Sequence, residues 1–63
     1  MSEERITRRQ YLIRSALLAI AAEEGAASIN DAFVVMEAVS STAIEHPEWD
    51  MDEVKTVSEW EEE

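Results

Sequence analysis

Several residue types that shape folds and active sites are absent or nearly absent from this 63-residue chain. It has no cysteine, which excludes disulfide bonds, thiolate nucleophiles and cysteine-ligated metals, and which favours a reducing, intracellular setting. The longest apolar run, ALLAIAA at residues 16–22, is followed by two glutamates and is too short for a membrane span or a signal peptide. We therefore expect a soluble intracellular protein that does not enter a membrane.

Glycine and proline each occur once, as Gly25 and Pro47, and both interrupt a helical pattern. Gly25 can adopt the left-handed conformation that ends a helix, and Pro47 disfavours helical geometry at His46. A single glycine also leaves no glycine-rich phosphate loop. The two breaks predict one small domain, residues 1–63, with helices at about 7–24, 29–45 and 51–60 and a frayed acidic tail at 61–63.

Each predicted helix begins with a residue that can cap it, followed three residues later by an acid or amide. The pairs are Thr7 with Gln10, Ser28 with Asp31, and Asp50 with Glu53. Around the third pair, Trp49 and Val54 occupy the positions of a hydrophobic staple. Trp49 thus has a structural explanation within its own segment.

Apolar residues at helical spacing predict the core. The core residues expected from this spacing are Ile13, Leu17, Ile20, Phe33, Met36 and Val54. Because the connection between the first two helices is short, those helices should pack antiparallel. The predicted fold class is all-α: an antiparallel helical hairpin plus a short third C-terminal helix.

The first helix has more apolar surface than one short partner helix can cover, because Leu12, Leu18 and Ala22 lie outside its main stripe. A chain of this size buries only roughly 60% of its unfolded surface, so a second copy would add stability. These features predict a homodimer. The alternative is a monomeric three-helix bundle with some exposed leucines.

Positive charge is scarce, and the net charge is −10. Residues 1–22 carry four arginines and two acids, net +2, whereas residues 23–63 carry thirteen acids and one lysine, net −12. This balance argues against direct nucleic-acid binding, which needs a positive surface. This uneven distribution of charge suits binding to a basic partner or pairing between copies, and it equally suits a role in solubility alone.

No residue pattern supports an enzyme or a cofactor site. The single histidine, His46, lies at a predicted helix end, where capping of the last carbonyl groups is the simpler role than catalysis. Arg8 and Arg9 fall in the first turn of the first helix and could contact a phosphate, but arginines there could also balance the acids of a second copy. We predict no catalytic residues and no cofactor.

A calcium loop is the one metal site that spacing suggests. Asp50, Asp52 and Glu61 occupy positions one, three and twelve of an EF-hand register. Val54 then replaces an oxygen ligand, and Lys55 stands where the loop needs glycine. We therefore predict no metal site, because helix capping explains the same acids without these faults.

The remaining candidates are residues for protein contacts. Aromatic anchors among carboxylates, together with the surplus apolar surface of the first helix, favour interaction roles for Leu12, Leu18, Trp49, Trp60, Glu59 and Glu61. An alternative is that the acidic tail imitates the phosphates of a nucleic acid and blocks a DNA- or RNA-binding enzyme. A line of charges on a solvated helix face is the plainer interpretation.

The chain begins MSEERITRRQYLIRSALLAIAAEEG and ends HPEWDMDEVKTVSEWEEE. In size and texture it resembles the small acidic accessory proteins of lambdoid phages, encoded in the early region between the recombination exonuclease and the excisionase. The resemblance covers the whole chain without a diagnostic motif. It implies a non-enzymatic early protein in the bacterial cytoplasm that binds a host or phage regulatory protein and influences lysis, lysogeny or the host cell cycle.

Overall fold

The structure is a computed structural model that describes residues 3–62. Two long helices dominate it, and a short third helix and a small two-stranded antiparallel sheet complete it. In chain order the elements are β1 (Arg5–Thr7), α1 (Arg8–Glu24), α2 (Ile29–Glu45), β2 (Val54–Thr56) and α3 (Val57–Glu61). The predicted helical hairpin with a third helix is present, but the all-α class needs correction because the sheet was not predicted.

The two long helices begin where their capping residues indicate. The Thr7 hydroxyl accepts the Gln10 backbone N–H, and the Gln10 side chain accepts the Thr7 N–H, which makes a reciprocal capping box. Ser28 and Asp31 repeat this arrangement before α2. Gly25 ends α1 with a φ of 89°, a left-handed conformation that side chains disfavour, so its identity is required by the turn.

The third helix begins at Val57, six residues later than the predicted start at Met51. Asp50 therefore does not cap a helix, and its carboxylate accepts the N–H of Asp52 in a local turn. The segment from Val54 to Thr56 is extended because it contains two β-branched residues and pairs with β1. Thr56 then caps α3 through a third reciprocal box with Glu59.

Part of the predicted acidic tail at 61–63 belongs to the last helix. Glu61 is the final residue of α3 and Glu62 is its C-cap. Glu63 lies outside the described residues, as do Met1 and Ser2.

The two strands pair with each other, and each leads into a helix in the same way. They pair with Arg5 opposite Thr56, Ile6 opposite Lys55 and Thr7 opposite Val54. Each strand continues directly into a helix through a threonine and its capping partner. The aromatic residues that follow the two capping partners, Tyr11 and Trp60, stack with ring centroids 6.0 Å apart. We call this paired arrangement the ribbon (residues 5–7 and 54–56).

The core lies between the hairpin and the segment that follows it. Val35, Val39 and Met51 are buried, and half-buried residues pack around them: Leu12, Ile13, Ala16, Leu17, Ile20, Ala43 and Trp49. Ile6 and Trp60 are also buried. The predictions for Ile13, Leu17 and Ile20 agree with this packing.

Three predicted core residues lie at the surface instead. Phe33 is 64% exposed, Met36 is 50% exposed and Val54 is 45% exposed. On α2, the buried line runs through Val35 and Val39, and one residue of helix turns a side chain by about 100°. Phe33 and Met36 therefore point away from α1. Val54 is exposed because it belongs to the ribbon and not to a helix face.

Within residues 3–62, no helix combines the length and the apolar character needed to cross a membrane.

Candidate interaction surface

Trp60, predicted as an interaction residue, is buried within its own chain. It is 4% exposed, and its indole N–H donates to the Ile6 carbonyl oxygen at 3.0 Å. The ring also stacks on Tyr11. Trp60 thus attaches α3 to β1 and α1 of its own chain.

Arg8 is the centre of the contacts that hold the C-terminal segment against α1. Its guanidinium lies 4.7 Å from the ring centroid of Trp60 and 5.5 Å from that of Trp49. It also donates to Glu53 Oε1 at 3.0 Å and to the Asp50 carbonyl oxygen at 3.3 Å. We call this set of contacts the Arg8 clasp (Arg8, Trp49, Asp50, Glu53 and Trp60).

The clasp also occupies the N-terminus of α1. The backbone N–H of Arg8 donates to the Glu53 carbonyl oxygen at 2.9 Å, and that of Arg9 donates to the Met51 carbonyl oxygen at 3.1 Å. Groups that could have bound a phosphate are therefore satisfied by the chain itself. The phosphate contact considered for Arg8 and Arg9 has no support from this geometry.

Trp49 and His46 form a second aromatic contact, at the end of α2. Their rings stack with centroids 4.1 Å apart, and His46 Nδ1 lies 3.1 Å from a carboxylate oxygen of Glu48. Hydrogen bonds from its own backbone N–H and from His46 lower the pKa of Glu48. These neighbours give His46 a structural role next to the helix end.

Many of the acids are engaged in local structure. The backbone and hydroxyl of Thr56 hydrogen bond to Glu59 and lower its pKa, and Ser28 does the same for Asp31. The Ser58 hydroxyl donates to Glu3 at 2.6 Å. Glu61, also predicted as an interaction residue, is exposed. Among residues 3–62, no three acidic or histidine side chains are grouped as metal ligands.

The largest exposed apolar side chains lie along α2. Ile29 is 79% exposed, Phe33 64%, Met36 50% and Ile44 81%. Their spacing places them on one side of the helix, within an arc of about 80°. We call them the α2 stripe.

A shallow groove of about 530 Å³ follows α1. It is lined by Gln10, Ile13, Arg14, Leu17, Leu18, Ala21 and Ala27. Most of its lining is apolar, and Gln10 and Arg14 are its two polar residues. Leu18, predicted as an interaction residue, is 53% exposed here. Leu12, also predicted for interaction, packs in the core instead.

The groove and the α2 stripe lie on the same side of the hairpin. Each is turned by about 110° from the line where α1 and α2 touch, in the same rotational sense. Because the helices are antiparallel, the same sense on both leads to the same side. Arg8, which contacts the C-terminal segment, is turned by about 120° in the opposite sense, and Tyr11 points away from α2. We call the uncovered side the open face.

The sequence predicts an uncovered apolar surface and correctly includes Leu18 in it. On α2 the prediction is wrong, because it places Phe33 and Met36 in the core and does not single out Ile29 or Ile44 for interaction. A signal was present, because Val35 and Val39 are also one turn apart and form a second possible contact line.

The comparisons with known proteins give no relative from which a role for this face could be taken. No protein-family model matches the chain, and neither a curated protein nor a solved structure matches it.

Proposed function

We propose that the protein is a non-enzymatic accessory protein that acts as a homodimer, binds a host or phage regulatory protein in the bacterial cytoplasm, and thereby modulates phage development. The observation that carries the proposal is the open face. Large apolar side chains gathered on one face mark sites of protein association.

The energy available from covering this face is large for so small a chain. Burying one Ile, Phe or Met side chain is worth about 1.5–3 kcal/mol. The free energy of unfolding expected for 63 residues is only about 3–9 kcal/mol. Association through the open face would therefore contribute a substantial part of the stability, which supports a homodimer over a monomer.

Charge supports a second, separate contact. The net −12 of residues 23–63 includes the C-terminal segment, which lies on the side of the hairpin away from the open face. An excess of negative charge there would steer a basic surface of a partner toward the dimer. The resemblance to lambdoid phage early proteins supplies the class of partner, a regulator of lysis, lysogeny or the host cell cycle.

The alternative, an acidic mimic of nucleic acid, has weaker support. A mimic needs carboxylates that are free to take the places of phosphates. Glu53 is held by Arg8, Glu59 by Thr56 and Asp31 by Ser28. These acids stabilise the fold of this chain, so they are not arranged as a free charged row.

Sedimentation equilibrium at low and high salt tests the proposal, with wild type and two matched variants. Phe33→Asn removes an apolar side chain from the open face, and Val34→Asn changes its neighbour, 58% exposed on the other side of α2. We expect wild type and Val34→Asn to be dimers at both salt concentrations and Phe33→Asn to dissociate. A monomeric wild type would remove the basis of the proposal.

The regulatory role needs its own measurement. We expect expression of wild type during infection by a lambdoid phage to change the fraction of lysogens, and Phe33→Asn to lose this effect while Val34→Asn keeps it. Partner binding that disappears at high salt but tolerates Phe33→Asn would favour the mimic instead.

A further inference from the structure

We infer that the open face is occupied by a second copy in one particular arrangement, in which α1 of each copy lies over α2 of the other and Arg14 of one copy pairs with Glu37 of the other. The inference rests on the proposed homodimer and specifies its geometry.

Two symmetric arrangements can bring two open faces together with full overlap. If the twofold axis runs parallel to the helices, α1 covers α2 of the second copy. If the axis runs across the helices, α1 covers α1 and α2 covers α2. Both give a four-helix bundle, so apolar burial alone does not distinguish them.

The charges at the margins of the open face do distinguish them. Arg14 lines the outer half of the groove, between Ala21 and Leu18, and Glu37 lies at the outer margin of the α2 stripe. Each is near the middle of its helix. If the twofold axis runs across the helices, Arg14 faces Arg14 and Glu37 faces Glu37, and both like-charge contacts are unfavourable. If the axis runs parallel to the helices, each Arg14 faces a Glu37 of the other copy.

The heights of these residues along the hairpin agree. Arg14 lies ten residues before the end of α1 at Glu24, and Glu37 lies eight residues after the start of α2 at Ile29. At 1.5 Å per residue, the two differ in height by only about 3 Å. An ion pair between long side chains can span this difference.

The apolar surfaces also match in this arrangement. By the same count, Phe33 of one copy lies at the height of Ala21 of the other, and Met36 lies at the height of Leu17 and Leu18. The small Ala21 leaves room in the groove for the large Phe33 ring. The C-terminal segments then lie on opposite outer sides, so the dimer offers a regulatory partner two identical acidic surfaces.

Charge reversal tests the pairing by the dimer dissociation constant. We expect Arg14→Glu and Glu37→Arg each to raise it by at least about tenfold, because each creates two like-charge contacts. The double variant should restore the wild-type value. An equimolar mixture of the two single variants should also form dimers, since both pairs are then of opposite sign, and no contact within one chain can explain that result.

Cross-linking provides a second readout, because the chain has no cysteine of its own. We expect a mixture of Arg14→Cys and Glu37→Cys proteins to be joined by a short bis-maleimide far more efficiently than either variant alone. Efficient linkage of Arg14→Cys to itself would overturn the arrangement.

The outcomes separate the two proposals. A monomeric wild type would refute the homodimer and this arrangement together. A stable wild-type dimer that is insensitive to both single reversals would refute only the arrangement. Far-UV circular dichroism of each variant checks that the helices are retained.

Discussion

Replacing Trp60 tests whether the C-terminal segment is an integral part of the fold. Trp60 is 4% exposed, is stacked on Tyr11, and contacts the cationic groups of Arg8 and Lys55, each 4.7 Å from its ring centroid. Truncating a buried tryptophan to alanine costs about 3–5 kcal/mol. Because the whole chain is expected to have only about 3–9 kcal/mol, Trp60→Ala should unfold a large fraction of the protein at room temperature.

Trp60→Phe separates the contributions of the ring and of its hydrogen bond. Phenylalanine keeps most of the buried ring but cannot donate to the Ile6 carbonyl oxygen, which lies 3.0 Å from the indole nitrogen. A hydrogen bond of this kind contributes about 0.5–1.5 kcal/mol, so this variant should remain folded with a modest loss. Val34→Ala, at an exposed position, should change little and is the matched control.

Urea unfolding followed by far-UV circular dichroism is the assay, repeated at several protein concentrations because dimerisation adds to stability by mass action. We expect the free energy of unfolding to fall in the order wild type, Trp60→Phe, Trp60→Ala. A Trp60→Ala protein within about 1 kcal/mol of wild type would mean that α3 does not anchor the segment.

Three further predictions concern the hairpin. Leu17→Ala, in the packed face of α1, should lower the free energy of unfolding by about 2–5 kcal/mol, measured by urea unfolding; unchanged melting would mean that this face is wrongly assigned. Gly25→Ala should cost about 1–2 kcal/mol through left-handed strain alone, since no atom lies within 4 Å of an added Cβ, and a calorimetric Tm at or above wild type would contradict this. Hydrogen bonds from Ser28 lower the pKa of Asp31, so the stabilisation by its carboxylate is present above the unfolded pKa and is lost as pH falls through the folded pKa. Relative to Asp31→Asn, wild type should therefore lose stability below about pH 4 in urea unfolding measured at several pH values. If the stability of both proteins changed in the same way with pH, the carboxylate of Asp31 would not be the cause.

The parts of the fold that depend on neighbouring residues were predictable from the sequence. Thr7 with Gln10 and Ser28 with Asp31 each act within one helical turn, and Gly25 acts at one backbone position. Their chemistry therefore marks the helix ends without knowledge of the rest of the chain.

The parts of the fold that depend on distant residues could not be predicted from the sequence. Val54 and Thr56 become extended because β1 pairs with them from the other end of the chain. The local sequence alone is equally compatible with a helix capped by Asp50. On α2, apolar residues cover more than half of the circumference, so the contact line could run through Val35 or through Phe33. Packing against α1 decided between them, and the same decision created the open face.

The ribbon has a consequence for the order in which the molecule forms. Pairing of Thr7 with Val54 closes a loop of about 47 residues, whereas α1 and α2 are joined by a connection of four residues. By the dependence of loop-closure entropy on length, the longer closure costs about 2 kcal/mol more. The hairpin should therefore assemble first and expose its open face before the ribbon closes, and on unfolding the ribbon should separate first. The two ends of the chain are thus the last contact to form and the first to be lost, and a newly made copy can meet a second copy before its own folding is finished.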